Sequence, residues 1–239
     1  MSIQMKLAGE GEDAQASSLR LDMHVHSAFS CDSVVPVRSI VRTWRRAGVL
    51  SLVCDHNTIE GSRRVMDAIR TLNPEVPELL AEEITTTSGE IIGLFLNEEI
   101  PPGLSADETL DLIQNQGGLS LVPHPFCRYR SQALHHHALE SLIEKIDIIE
   151  GFNARNVVDA DNERASVFAR ERNKPISVGS DAHTPLELSR VWLEVPVFET
   201  PKELLRGLYG APLYFRRSNS AVHVITKMVK MARRRDVFR

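Results

Sequence analysis

The stretch "LRLDMHVHSAFSCDS", residues 19–33, decides the fold predicted for this chain. Its first half has the pattern of a β-strand over residues 20–26, and successive side chains of a strand point to opposite faces. Asp22, His24 and His26 therefore lie on one face. Carboxylates and imidazoles are common ligands of divalent cations, so a strand that carries them on one face indicates a metal site.

Short apolar runs alternate with helical patterns from residue 19 onward. The predicted strands are 20–26, 50–55, 79–84, 90–96, 119–123, 146–151, 175–180 and 191–196. The predicted helices are 36–47, 60–72, 106–116, 137–145, 159–172, 201–208 and 220–235. This alternation predicts an α/β fold with a largely parallel sheet, and the number of units favours barrel-like closure over an open sheet.

Composition indicates the class of protein and its division into segments. The 239 residues are 42% hydrophobic and 25% charged, with a formal net charge of -4. These values are typical of a soluble globular protein and give no reason to expect general nucleic-acid affinity. We expect a loose N-terminal arm over residues 1–18, a barrel domain over 19–215 and a basic C-terminal helix or tail over 216–239.

The cysteines and the apolar runs predict where the protein resides. The chain has three cysteines and no CxxC pair, which favours a reducing compartment over a disulfide framework. The sequence contains no run of 18 apolar residues, so it predicts no transmembrane helix. The N-terminal residues lack the apolar core of a secretory signal. We therefore expect a cytoplasmic protein without a membrane span.

Further polar residues lie at the ends of other predicted strands. His56, Glu83, His124, Asp181 and His183 each lie at or just beyond the C-terminal end of one of them. In parallel barrels those ends carry the active site. The sequence therefore predicts that imidazoles and carboxylates from separate strands converge on one rim and hold several divalent cations.

Six motifs together resemble the PHP family, the polymerase and histidinol phosphatase domain. They are "DMHVHSAFSCDS", "DHNTIEG", "EITTTSGEIIGLF", "HPF", "FNAR" and "GSDAH", in the family's order over roughly residues 19 to 185. The resemblance is closest to stand-alone metal-dependent phosphoesterases with a PHP-associated C-terminal region. It implies a distorted (β/α)7 TIM-like barrel with two or three divalent ions, such as Mn, Zn or Fe, in its mouth.

The resemblance also implies a set of metal ligands. One metal would be held by His24, His26, Glu83 and Asp181. Glu83 would bridge to a second metal, which His124 also binds.

A third metal would take His56, His183 and Asp32, where some family members have His in place of Asp32. Glu90 stands where many members have His, and two interpretations remain open: a ligand of the second metal or a solvated turn residue. Glu83 is preferred to its neighbour Glu82 as the bridge, because only one of two successive strand residues faces the rim.

Clustered divalent ions lower the pKa of a bound water and neutralise the charge of a phosphoryl group. We therefore expect hydrolysis of a phosphate ester of a nucleotide or small phosphorylated metabolite by a metal-bound hydroxide. Asp181 is expected to be essential for catalysis. Either His183 or His56 would protonate the leaving oxygen, and the sequence does not choose between them.

Three arginines are candidates for binding the substrate phosphate, because the guanidinium fork matches phosphate geometry. Arg128 and Arg155 lie just past rim residues and are favoured over Arg130. Asp22 and Asp55 are expected to be structural, with Asp22 orienting a histidine ring from behind.

Two other functions remain open: an exonuclease acting on short oligonucleotides, and a non-catalytic domain stabilised by its metals. Long nucleic acid is not expected as a partner, since aromatic residues are only 5% of the chain and residues 19–215 show no basic stripe with interleaved aromatics.

Overall fold

A computed structural model describes residues 18–215 and residue 226. The predicted N-terminal arm therefore lies outside the described residues, apart from Ser18. The same holds for the C-terminal segment 216–239, of which Thr226 alone is described.

Nine strands and six α-helices form the described part of the chain. The strands are β1 (Ser18–Val25), β2 (Val49–Val53), β3 (Ala81–Thr86), β4 (Gly89–Leu94), β5 (Leu119–Val122), β6 (Ile148–Asn153), β7 (Ile176–Gly179), β8 (Val191–Pro196) and β9 (Leu213–Phe215). The helices are α1 (Val37–Ala47), α2 (Glu60–Leu72), α3 (Ala106–Asn115), α4 (His136–Ser141), α5 (Asp159–Glu171) and α6 (Pro201–Leu208), with a 3-10 turn at Ile143–Lys145. None of these helices is long and apolar enough to cross a membrane.

The strands form two mixed sheets, in the orders β2-β1-β8-β9 and β3-β4-β5-β6-β7. The pairs β1–β2, β5–β6 and β6–β7 are parallel, whereas β3–β4, β4–β5, β1–β8 and β8–β9 are antiparallel. The α/β class is thus confirmed, but the prediction of a largely parallel sheet is wrong. The physical reason is clearest at β3 and β4, which are joined by only Thr87 and Ser88 and must form a hairpin, since a parallel crossover needs a dozen or more residues.

The two sheets meet at two isolated parallel bridges. Val25 at the end of β1 bridges to Ala182, and His56 beyond β2 bridges to Glu83 on β3. Within residues 18–215 the strands do not form one ring of continuous pairing, so the closed barrel expected from the sequence is not confirmed. Both bridges lie beside predicted metal ligands, which places those ligands at the junction of the sheets.

Local sequence signals account for several helix ends. Ser105 caps α3 by accepting a hydrogen bond from the backbone of Glu108, whose carboxylate in turn accepts one from the backbone of Ser105, the capping box that the sequence shows. Thr200 caps α6 in the same way. Gly48 ends α1 in the left-handed conformation with φ 67°, which glycine adopts without steric cost.

The apolar core lies between the strands and the helices that cover them. All five residues of β2 are buried, as expected of a strand that is covered on both faces. Met23 and Val25 of β1 point into the core, whereas His24 of β1 points the other way, and His26, which directly follows the strand, lies beside His24. The alternation on β1 thus separates core packing from the polar site.

Candidate metal centre

His24 of β1 and His26, which directly follows β1, lie side by side and are both buried. The Nε2 atoms of His24 and His26 lie 3.1 Å apart. Both ring nitrogens point to the same small space, so one cation could be bound between them.

Glu83 lies at the centre of the imidazoles. Its Oε1 is 3.6 Å from His24 Nε2 and 3.3 Å from His124 Nε2. Its Oε2 is 3.2 Å from both His26 Nε2 and His56 Nδ1. Each oxygen thus faces two imidazoles, and Glu83 could bridge two cations.

The electrostatics of Glu83 favour its charged form. Burial alone would raise the pKa of Glu83, but attraction to His24 and His56 outweighs burial and holds the pKa well below its usual range. Glu82 differs from its neighbour, since its Oε2 accepts a hydrogen bond of 3.2 Å from the backbone of Ile100. Of the two adjacent glutamates, only Glu83 makes contacts with the histidines.

Asp181 presents one oxygen to the histidines and one to its supporting residues. Its Oδ1 is 3.3 Å from His183 Nδ1 and 3.7 Å from His26 Nε2. Its Oδ2 accepts hydrogen bonds from Arg130 and, at 3.1 Å, from Asn153 Nδ2. Despite burial, the charge of Arg130 holds the pKa of Asp181 well below its usual range.

Two of these residues adopt a backbone conformation that is rare outside glycine. Asp181 has φ 53° and His124 has φ 34°. Such strain costs on the order of 1–3 kcal/mol per residue and is found most often at functional sites. Here it directs two strand-end side chains into the cluster.

Asp32, His56 and His183 form a neighbouring group at the opening of the site. Asp32 Oδ1 is 3.3 Å from His183 Nε2, and Asp32 Oδ2 is 3.5 Å from His56 Nε2. Burial would raise the pKa of Asp32, but hydrogen bonds with the two histidines hold it below its usual range. Asp32 thus contacts His56 and His183, the two other residues that are predicted to bind a third metal.

Glu90 is a buried member of the cluster. It is 3% exposed, with Oε1 3.4 Å from His56 Nδ1 and Oε2 3.9 Å from His124 Nε2. The interpretation of Glu90 as a solvated turn residue is therefore wrong. Burial and the charge of Glu83 raise the pKa of Glu90 to about 8. Because β4 runs antiparallel to β3, Glu90 enters the site from the start of its strand.

The two histidines considered for leaving-group protonation have opposite surroundings. Although burial lowers it, the pKa of His56 is raised to about 10 by the carboxylates of Glu83, Glu90 and Asp32. Burial and the neighbouring His26 lower the pKa of His183 to about 3.

Three buried polar atoms of the cluster lack hydrogen-bond partners among the described residues, which bears on whether cations fit the site. Glu83 Oε1, Asp181 Oδ1 and His124 Nε2 are buried and make no hydrogen bond with any residue that the structure describes. Buried polar atoms are normally paired, because an unpaired one costs about 1–3 kcal/mol. A divalent cation would supply the missing partner.

Ligand atoms also converge closely enough for several ions. Three groups without cysteine have ligand atoms within 4.8 Å of one another: His26, Asp32, His56 and His183; His24, Glu83 and His124; His56, Glu83 and Glu90. A fourth group adds Cys54 to His24 and His26. The Cys54 thiol donates a hydrogen bond to the backbone carbonyl of Val25 at 3.7 Å, and burial raises the pKa of this thiol well above its usual value.

Glu150 supports the cluster from behind, and sequence reasoning missed it. Its Oε1 is 3.0 Å from His24 Nδ1, the ring nitrogen opposite the one that faces His26. Its Oε2 accepts hydrogen bonds from the backbone of His124 at 2.6 Å and from Asn153 Nδ2 at 3.0 Å. The signal was present: a glutamate in the buried run "IIEGF" is seldom found without a partner.

Asp22 and Asp55, the two aspartates expected to be structural, accept hydrogen bonds from backbone N–H groups. Asp22 Oδ1 accepts a hydrogen bond of 2.9 Å from the backbone of Ser180, so it ties β1 to the segment after β7 and does not orient a histidine ring. Asp55 accepts hydrogen bonds from the backbone and hydroxyl of Ser27 at 2.6 and 2.5 Å.

A cleft of about 460 Å³ opens over the cluster. Its lining residues are Asp32, His56, Glu90, Cys127, Tyr129, Arg130, Gln132, Arg155, Val157, His183 and Thr226. Arg130 and Arg155 therefore face the same space as the histidines at the opening.

The three candidate arginines differ in their partners. Arg155 Nη1 is 2.7 Å from His183 Nδ1, and Nη2 donates to the Thr226 hydroxyl at 2.6 Å. Arg128 does not line the cleft; its Nε and Nη2 donate to Asp161 at 3.0 and 2.8 Å. The structure thus places Arg130 and Arg155 at the opening and anchors Arg128 on α5.

Comparison with known proteins identifies the family. Residues 159–209 match the sequence model of the PHP-associated family region. The chain is 33% identical to the uncharacterized protein MJ0417 of Methanocaldococcus jannaschii over 200 residues. This alignment covers 80% of this chain and 79% of MJ0417. The chain belongs to the PHP family.

Solved structures share the fold of this PHP protein. A two-domain protein from Bacteroides vulgatus that contains a predicted PHP-like metal-dependent phosphoesterase aligns with a TM-score of 0.64 at 19% identity, over 90% of this chain and 70% of that one. An amidohydrolase from Chromobacterium violaceum aligns with a TM-score of 0.58 at 16% identity, over 80% and 96%. At these identities the similarity shows a common mixed α/β PHP fold.

Proposed function

We propose that this PHP protein is a metal-dependent phosphoesterase that hydrolyses a phosphate ester of a nucleotide or another small phosphorylated metabolite. The observation that carries the proposal is the position of Glu83, whose two oxygens each face two imidazoles within 3.6 Å. A carboxylate in that position is suited to bridging two cations beneath a cleft that two arginines line.

The proposed ligands of the first two ions follow these contacts. His24, His26, Glu83 and Asp181 would hold one ion, and Glu83 would be shared with a second ion that His124 would also hold. Bound Mn, Zn or Fe would supply Lewis acidity, lowering the pKa of a water and neutralising charge on a phosphoryl group.

Two or three ions are proposed in all. Asp32, His56 and His183 would hold the third, and Glu90 would contribute to the second. The burial of Glu90 supports this assignment.

The remaining polar groups of the cleft act on the substrate. Arg130 and Arg155 bind the phosphoryl oxygens, since both line the cleft and guanidinium groups pair with phosphate through two hydrogen bonds. Asp181 fixes Arg130 through their contact and is proposed to be essential. If only two ions are bound, so that His56 and His183 are not committed to a third, these two histidines remain the candidates for donating a proton to the leaving oxygen.

The fold proposal is a distorted barrel of seven strands. β1 to β7 would form a ring if the bridges Val25–Ala182 and His56–Glu83 are taken as its two weakly paired positions. β8 then pairs with β1 outside the ring. We propose that this barrel domain spans 19–215 and that the protein is cytoplasmic, which its three free cysteines support.

A pair of adjacent variants tests the function. Phosphate release is measured from histidinol phosphate, mononucleotides, nucleoside bisphosphates, cyclic nucleotides and short oligonucleotides, and the metal content of the purified protein is determined. Glu83→Gln should abolish turnover and lower metal content, whereas Glu82→Gln should retain both. Equal effects of the two changes would contradict the proposal.

The same measurements separate the other two functions. Cleavage of oligonucleotides without release from any small ester would favour the exonuclease. Metal bound with no turnover on the whole panel would favour the non-catalytic domain.

A further inference from the structure

A groove separate from the metal centre lies between α1 and α2. It encloses about 690 Å³ and is lined by Val37, Arg38, Val41, Arg42, Arg45, Arg46 and Ala68. It shares no lining residue with the cleft over the cluster. Its volume lies within the range of small-molecule sites, about 300–1,000 Å³.

The arginines of this groove form one stripe on α1. Arg38, Arg42 and Arg45 are spaced four and three residues apart, and Arg46 lies four beyond Arg42, so all four project from one side of the helix. All four are exposed. The half-buried Val37 and Val41 lie beside them and form the apolar floor with Ala68 of α2.

No carboxylate neutralises this stripe in the described part of the chain. α1 contains no acidic residue, and none of the four guanidinium groups has an ion pair within 4 Å among residues 18–215 and 226. By contrast, the neighbouring α2 arginines Arg64 and Arg70 are paired with Glu60 and Glu78. The arrangement is unusual in a chain whose net charge is -4.

Helix stability does not explain the stripe. Arg45 and Arg46 suit the negative C-terminal end of α1, but Arg38 lies in the first turn, where a positive charge is unfavourable. Like charges four residues apart destabilise a helix by about 0.2–0.5 kcal/mol per pair. A bound anion would relieve this repulsion.

We propose that this groove binds the polyphosphate group of a small molecule. Arginine forks match phosphate oxygens, and the stripe from Arg38 to Arg46 is about 12 Å long at the rise of an α-helix. That length suits two or three phosphates and is short for a track of several nucleotides. Among residues 18–215 and 226, no aromatic side chain lines the groove, which also disfavours binding of single-stranded nucleic acid by base stacking.

Calorimetric titration of the full-length, metal-loaded protein with sodium triphosphate tests the site. Mn²⁺ is kept in excess so that the probe does not strip the metal centre. Arg42→Gln/Arg45→Gln should weaken triphosphate binding about tenfold or more, as expected for the loss of two charge-assisted contacts. The matched double variant Arg170→Gln/Arg206→Gln removes two exposed arginines on α5 and α6 and should bind like the wild type.

Further controls separate this site from the proposed active site. Arg130→Gln should leave the groove's triphosphate binding intact, and Arg42→Gln/Arg45→Gln should leave phosphate release within about twofold of wild type. The proposal is overturned if the wild type shows no triphosphate binding, or if both double variants lose it equally. Tighter binding of a single-stranded oligonucleotide, increasing with its length, would also overturn it.

Discussion

Glu150 Oε1 and His24 Nδ1 lie 3.0 Å apart, with both groups buried. The contact fixes the histidine ring so that Nε2 points into the cluster. A carboxylate behind a metal-binding imidazole also increases the basicity of the ring. Glu150 thus positions two proposed ligands at once, because its other oxygen holds the backbone of His124.

Replacing Glu150 should weaken metal binding without removing a proposed ligand. Glu150→Gln keeps the shape but loses the charge behind His24, and changes of this kind reduce metal affinity about 10–100-fold. Competition with a fluorescent chelator measures the affinity. Glu163→Gln, an exposed change on α5, is the control and should bind metal like wild type. Unchanged affinity in Glu150→Gln would contradict the positioning role.

Removing the metals should lower thermal stability. Ions that bind only the folded state stabilise it by about 2.7 kcal/mol at a hundred times their Kd. Chelation should therefore lower Tm, and added Mn²⁺ or Zn²⁺ should restore it. Asp181→Asn should weaken this dependence on metal. A Tm that is the same with and without chelator would argue against a metal centre.

Gly179 should not tolerate a side chain. A Cβ built there lies 2.2 Å from Glu150 Oε1 and 2.4 Å from His24 Cβ. Gly179→Ala should therefore destabilise the fold by about 1–3 kcal/mol and displace His24. Chemical denaturation and metal content measure the two effects. Gly207→Ala on α6, whose nearest neighbour would be 3.1 Å away, should change stability by less than about 1 kcal/mol.

Variants of Arg130 and Arg128 should show which of the two binds the substrate phosphate and which only pairs with Asp161 on α5. Arg130→Gln should lower kcat/KM at least about tenfold, since it removes a charge-assisted contact in the cleft. Arg128→Gln should change kcat/KM less than about twofold, because Arg128 is exposed and paired with Asp161. Steady-state kinetics on the best substrate of the panel decides between them. A larger loss in Arg128→Gln would restore the preference for Arg128 drawn from its sequence position.

Periodic and local signals predicted much of the fold. The bounds of α2 and α6 agree with the predicted 60–72 and 201–208, because caps and apolar spacing act within a few residues. The direction of β4 and the short β9 were missed. Strand direction depends on which neighbour is available for pairing, and β9 spans only three residues.

The candidate site was predictable where strand alternation controls direction. His24 and His26 share a face by the period of a strand, and the structure places all nine predicted ligands near one another, with Asp181 joined through His26 and His183. The sequence could not predict which arginine enters the cleft, because that depends on loop conformation. Arg128 and Arg130 are two residues apart, and only the path of the loop after His124 determines which of them enters the cleft.

The junction of the two sheets has a consequence for local motion. Each isolated bridge joins the sheets through one residue pair, Val25–Ala182 or His56–Glu83, where a regular ladder would have several. The two sheets share one apolar core, but their strands are paired at the junction only by these bridges within residues 18–215. Charges on both sides of the junction attract the same cations, so bound ions would add a second connection between the strand ends. Loss of the ions would then release the amides around the junction to exchange with solvent before the helices unfold.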